Sequence, residues 1–208
     1  MTMQFIAVKN ALQQLLSTNA AGQFQVIGAQ KQEKSAEEFI DQNRMVEIYY
    51  KRSTFPKGEG RYLGPVTNKA EFAIEFTVSA PARADLTVLN NPAATPAQLE
   101  AAIASMKEAS NEADEKMDEL ISLVWEILMD ARNEDLGLPK IVSDRWVDDA
   151  TKNDPNPRGS LVVLTASMPY SCNVCEVPPG EEGLDSEGIS LENNINEDEN
   201  QKTGISVT

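Results

Sequence analysis

Two groups of residues carry side chains able to do chemistry. The first is Cys172-Asn173-Val174-Cys175, the spacing of a redox pair or of half a zinc site. The second is an acidic run, Glu108, Glu112, Asp114, Glu115, Asp118 and Glu119. The chain has no histidine, which removes the commonest general base and every Ser-His or Cys-His nucleophile pair. A tetrahedral zinc site needs four ligands, and no third Cys or any His exists to complete one. If residues 172–175 lie on a strand, the two cysteines point to opposite faces and an internal disulfide is disfavoured. Two semi-buried thiols are therefore expected. A di-metal carboxylate site needs Glu-x-x-His pairs from separate helices, so the acidic run is expected to be a solvated helix face, helped by Glu112 and Lys116 at i,i+4. Gly58-Glu59-Gly60 lacks the Gly and Lys pattern of a phosphate loop. The expectation is no catalytic residue, no cofactor and no metal.

The acidic run lies in the stretch that organises the rest, Thr95 to Gly137. No Gly or Pro interrupts it between Pro96 and Gly137. Thr95 with Gln98 makes a Thr-x-x-Gln capping box, and Pro96 fits the first helical position. Leu136-Gly137-Leu138-Pro139 supplies a stop signal. An unbroken helix of this length is roughly 55 Å long, so a kink or a break near Ser110-Asn111 is expected. In its second half Met117, Leu120, Ile121, Val124, Leu128 and Ala131 form one apolar stripe. Leu123, Trp125, Ile127 and Met129 lie off it, which predicts a second covered face, on the sheet or on another copy of the chain. The first half, with Leu99, Ala102, Ile103, Met106, Ala109 and Ala113, is thinner. It is expected to be a peripheral arm or a close contact with another subunit.

Residues 3–16 predict an amphipathic helix, with Phe5, Val8, Leu12, Leu15 and Leu16 on one face. Phe24, Val26 and Ile27 predict a short strand; residues 28–42 are polar, with a helical turn expected over 36–40. Arg44–Lys51 alternates Val46, Ile48 and Tyr50 against Met45, Glu47 and Tyr49, and Glu71–Ser79 alternates Phe72, Ile74, Phe76 and Val78 against Glu71, Ala73, Glu75 and Thr77. These two predict an antiparallel pair joined by an exposed loop over Ser53–Thr67. That region, with Lys51, Arg52, Lys57, Arg61 and Lys69, is the one basic patch. Beyond Pro139 a short strand or turn is expected near 141–147, a loop over 148–159, then a strand at Leu161–Ser167. Tyr170–Val177 continues or neighbours it, with Pro169 marking a bend or an edge.

The net charge of −15 argues against a domain-wide nucleic-acid surface. Residues 181–208 hold eight acids and one base, net −7, leaving −8 for the other 180 residues. Residues 178–208 are expected to form a disordered acidic tail. No secretory signal is recognisable, and Glu126 interrupts the most apolar run, so a soluble chain is expected. The fold class expected is α+β: a mostly antiparallel or mixed sheet, flanking helices and a long central helix in one domain over 1–177, with an Ala-rich helical insertion at about 93–116.

The order of elements, together with Arg-Met-Val-Glu-Ile-Tyr-Tyr at 44–50, Glu-Phe-Ala-Ile-Glu-Phe-Thr-Val at 71–78 and Pro-Arg-Gly-Ser-Leu-Val-Val-Leu-Thr at 157–165, resembles the tail terminator (minor tail, tail completion) proteins of long-tailed bacteriophages. The resemblance implies a non-enzymatic virion protein at the head-proximal end of the tail. It implies a homo-oligomeric ring, a hexamer, that caps the tail tube, ends its polymerisation and meets the head completion or connector protein. DNA would pass through the lumen without specific binding, and an acidic lining would suit that. The Ala-rich 93–116 segment and the acidic tail depart from the family's minimal form. Lys51, Arg52, Lys57, Arg61, Trp125, Ile127 and Met129 are the expected contact residues. The alternatives are another tail-tube, neck or connector protein and, from a different class, a small carboxylate-dependent hydrolase.

Overall fold

The computed structural model describes residues 4–27, 44–54, 66–130 and 142–176. They form an α+β fold: a seven-stranded mixed sheet with two helices packed on one face. In chain order the elements are α1 (Gln4–Asn19), β1 (Gln25–Ile27), β2 (Arg44–Thr54), β3 (Val66–Pro81), a 3-10 turn (Leu86–Asn90), α2 (Pro96–Met129), β4 (Val142–Val147), β5 (Thr151–Lys152), β6 (Asn156–Arg158) and β7 (Leu161–Glu176). The main sheet order is β1-β2-β3-β7-β4, with β5 and β6 also on β7. All pairs are antiparallel except β1 with β2.

The frame is the β3–β7 ribbon, paired continuously from Val66↔Glu176 to Pro81↔Leu161. Period-two alternation puts Phe72, Ile74, Phe76, Val78, Val162, Leu164, Met168 and Tyr170 under the helices, where all are buried. Tyr50, Phe72 and Tyr170 are direct cross-strand neighbours, and Phe5 of α1 stacks on Tyr50 with ring centroids 4.0 Å apart. This aromatic row ties the first helix to three strands.

β7 is one strand, and Pro169 lies inside it without ending it. In an antiparallel strand a residue's N–H and C=O face the same neighbour. The Pro169 carbonyl accepts from Asp148 N at 3.1 Å, just after β4. Its missing donor therefore faces the gap between β4 and β5, not β3. The proline costs one ladder bond where the neighbouring strand is already broken. The expected loop at 148–159 thus contains two short strands, and β4, β5 and β6 are pieces of one interrupted edge. The two-residue Gly159-Ser160 turn joins that edge to β7. Gly159 has φ +61° at the first central position, where a hairpin turn of the II′ type requires glycine.

The α2 capping box is present as expected: Thr95 Oγ1 accepts from Gln98 N at 3.4 Å, and Gln98 Oε1 accepts from Thr95 N at 2.9 Å. The expected break near Ser110-Asn111 is absent. α2 is a single helix of 34 residues, about 50 Å long. Ser110 Oγ donates to the Met106 carbonyl at 2.7 Å, so its hydroxyl is satisfied without leaving the helix. The long β3–β7 ribbon gives the helix a track of matching length. The helix ends at Met129 with Asp130 as C-cap; the stop signal at Gly137 lies outside the described residues, as do the expected turn over 36–40 and the acidic tail.

The small-residue stripe of the Ala-rich half is covered by the chain's own fold, so this half is not a free arm, while Ile103 on it is 59% exposed. Ala102, Ala109 and Ala113 are buried in the same core as Met117, Leu120 and Val124. Small side chains there bring the helix close to its own sheet. Ser105, on the same stripe, accepts from Ala84 N at 3.0 Å and ties the helix to the segment after β3.

Candidate functional site

The cysteines and the acidic run, the two groups able to do chemistry, take defined places in the fold. Cys172 is buried beneath the helices, and burial pushes its thiol up to about 12, so the thiolate a redox pair requires is suppressed. Cys175 follows three positions later in the same strand, in register with Thr67. Among the described residues no group of three or more His, Cys, Asp and Glu side chains is arranged to hold a metal.

The acidic run on α2 is not merely solvated. Five of its six members form ion pairs: Glu108 with Arg83, Glu112 with Lys116, Asp114 and Asp118 with Lys152, and Glu119 with Arg44. Three of the four cations come from β2, β5 and the segment after β3. The run is a set of tethers that holds the helix across the sheet. Sequence spacing identifies only the Glu112–Lys116 pair, because the others span 25 to 75 residues.

The expected contact residues divide. Trp125 is 37% exposed and Met129 is 55% exposed. They lie four apart on the outer side of α2, as expected of an apolar face its own fold does not cover. Ile127 is only 7% exposed and belongs to the core. The helix rolls enough for 127 and 128 both to face the sheet, so Ile127 is not a contact residue. Lys51 and Arg52 are exposed at the end of β2. Lys57 and Arg61 lie outside the described residues.

Lys51 is the extra residue of a β-bulge, between Tyr50↔Phe72 and Arg52↔Glu71. The bulge inverts the alternation. Without it Arg52 would follow Val46, Ile48 and Tyr50 under the helices. With it Arg52 reaches the second face, where its Nε donates to Glu71 at 2.8 Å, and Ser53 takes the inner side, 2.9 Å from the Tyr50 hydroxyl. The Arg52 hydrogen bond and charge hold the Glu71 carboxyl below the usual carboxylate range. Asp85 is also held low, first by the Thr87 backbone N–H. A general acid needs the opposite shift.

That second face, away from the helices, was missed by the sequence reading except as a polar partner surface. No helix among the described residues packs on it. The register sets Glu47 directly opposite Glu75, a like-charge pair across two strands. The Tyr49 hydroxyl donates to Glu47. Burial first, then that hydrogen bond and the two glutamates, raise the tyrosine's pKa and keep it protonated. Nearby, Trp146 is 45% exposed with the Lys69 ammonium 5.3 Å from its ring centre. At one end Met45, Leu161 and Val163 make a small second apolar cluster with Ile27. The signal for this face was the odd-numbered set Glu47, Glu71 and Glu75, legible once the register was known.

Among the described residues no helix is long and apolar enough to cross a membrane. Compared with known protein families and with curated proteins, the chain matches none of them.

Proposed function

We propose that this protein is a non-enzymatic tail terminator of a long-tailed bacteriophage. It assembles as a homo-oligomeric ring, caps the tail tube at its head-proximal end and offers a surface to the head completion or connector protein. DNA passes through an acidic lumen without specific binding.

One observation carries the reading. Trp125 and Met129 stand exposed, four residues apart, on the outside of a helix whose other side fills the core. An aromatic and a methionine left outside a core with room for both Ile127 and Leu128 are suited to a partner surface. The element order supports the same family, running from α1 through the β2–β3 hairpin and the long helix to β6 and the Gly159-Ser160 turn into β7. The hydrolase alternative has less support, since five of the six carboxylates of the acidic run are engaged by Arg44, Arg83, Lys116 and Lys152.

Negative-stain images and light scattering of the purified chain, alone and with tail tubes, test the proposal. A discrete ring, or one that forms on tube ends, is expected. A persistent monomer that leaves tube length unlimited overturns it. A ring whose lumen is crowded by Lys51 and Arg52 overturns the proposed lining.

A further inference from the structure

We propose that the sheet face opposite α1 and α2, at Glu47 and Glu75, receives the Lys51 end of the β2–β3 hairpin of a second copy of this chain. The proposal rests on the self-assembly reading above and names the contact. Three observations carry it. Glu47 and Glu75 are directly opposed in register, and among the described residues the side-chain hydrogen bond to this pair comes from an uncharged tyrosine, Tyr49. Like charges across a strand pair destabilise the isolated sheet, and a cation from outside removes that cost. The same face carries Trp146, 45% exposed, with Tyr49 and Arg52, the residue types that dominate interface energetics.

A surface of complementary charge is on the same chain. Residues 51–69 contain Lys51, Arg52, Lys57, Arg61 and Lys69 against Glu59 alone, net +4 in a chain of −15. Arg52 is already held by Glu71, and Lys69 lies over Trp146. Lys51, pushed out by the bulge, is exposed. An acidic centre and a basic end at different places on one molecule make a head-to-tail contact, which closes into rings when the rotation permits.

Light scattering at low and high salt tests this on the full chain, using Lys51→Glu, Glu75→Lys, the double variant and an equimolar mixture of the two singles. Each single variant should weaken association by roughly tenfold or more. The double variant restores opposite charges and should recover assembly, and it also shows that the substitutions are compatible with folding. The mixture should recover it too, as alternating copies. Single variants that assemble like the parent overturn the proposal, as does a double variant no better than the singles. If Lys51→Glu weakens assembly while Glu75→Lys does not, the hairpin docks on another acidic segment, such as residues 181–208, and the proposal falls. A parent chain that is monomeric at low salt also overturns it. A charge-sensitive ring that fails to cap tubes would sink the tail-terminator reading and leave this contact standing. A charge-insensitive ring that caps them would do the reverse.

Discussion

Lys152 Nζ lies 2.7 Å from Asp114 Oδ1 and 2.6 Å from Asp118 Oδ1, so one cation on an edge strand clamps two successive turns of the long helix. Burial works against the Lys152 charge, but the two carboxylate hydrogen bonds outweigh it and raise its pKa. A raised lysine pKa contributes stability that is fully present below the unfolded value, near 10.4, and is lost as pH rises through the higher folded value. Lys152→Met should lower stability by about 0.5–1 kcal/mol at neutral pH, because the pair is partly exposed. The deficit should shrink in strongly alkaline solution. Urea melts of both proteins across pH 7 to 11 check this.

Glu71 has the opposite sign. Its folded pKa is depressed by Arg52, so its contribution is present above the unfolded value, near 4.3, and is lost as pH falls through the lower folded value. Glu71→Gln should destabilise modestly at pH 7 and converge with the parent in acid. Thermal melts between pH 7 and pH 3 measure the convergence.

Asn68 is buried under the helices with neither its amide nitrogen nor its oxygen hydrogen-bonded, and the buried Tyr170 hydroxyl is also unpartnered. Each carries a desolvation cost without compensation. Asn68→Val, which suits a central strand, should stabilise by about 1 kcal/mol and raise Tm by roughly 2–4 °C. Tyr170→Phe should be neutral or stabilising. A loss of stability in both variants would show that these groups have partners in solution.

Ala109 is buried in the core that α2 forms with the sheet. Ala109→Glu would bury an unpaired carboxylate and should destabilise the monomer by more than about 3 kcal/mol. The readout is the unfolding midpoint at low protein concentration. A variant that keeps its midpoint but loses only its oligomeric state would return this stretch to a subunit contact.

Cys172, held protonated by burial, should resist iodoacetamide at pH 8 in the folded protein and react quickly in denaturant. Peptide mass mapping separates it from Cys175. Rapid labelling of native Cys172 would contradict its placement in the core.

Short-range chemistry was legible from the residue order. The Thr95–Gln98 cap, the alternation of Phe72, Ile74, Phe76 and Val78, the α1 stripe and the β2–β3 hairpin each depend on neighbours a few positions apart, so the α+β class could be read directly. What the sequence could not determine depends on which segments meet. Pro169 sits inside a strand because the adjoining edge is broken opposite it. The bulge at Lys51 transfers Arg52 to the other face. Ile127 turns inward because α2 stays straight along a ribbon long enough to hold it. The cations that hold the acidic run come from as far as 75 residues away. Local propensity carries no information about such partners. They follow from strand register and helix placement, which only the assembled core decides.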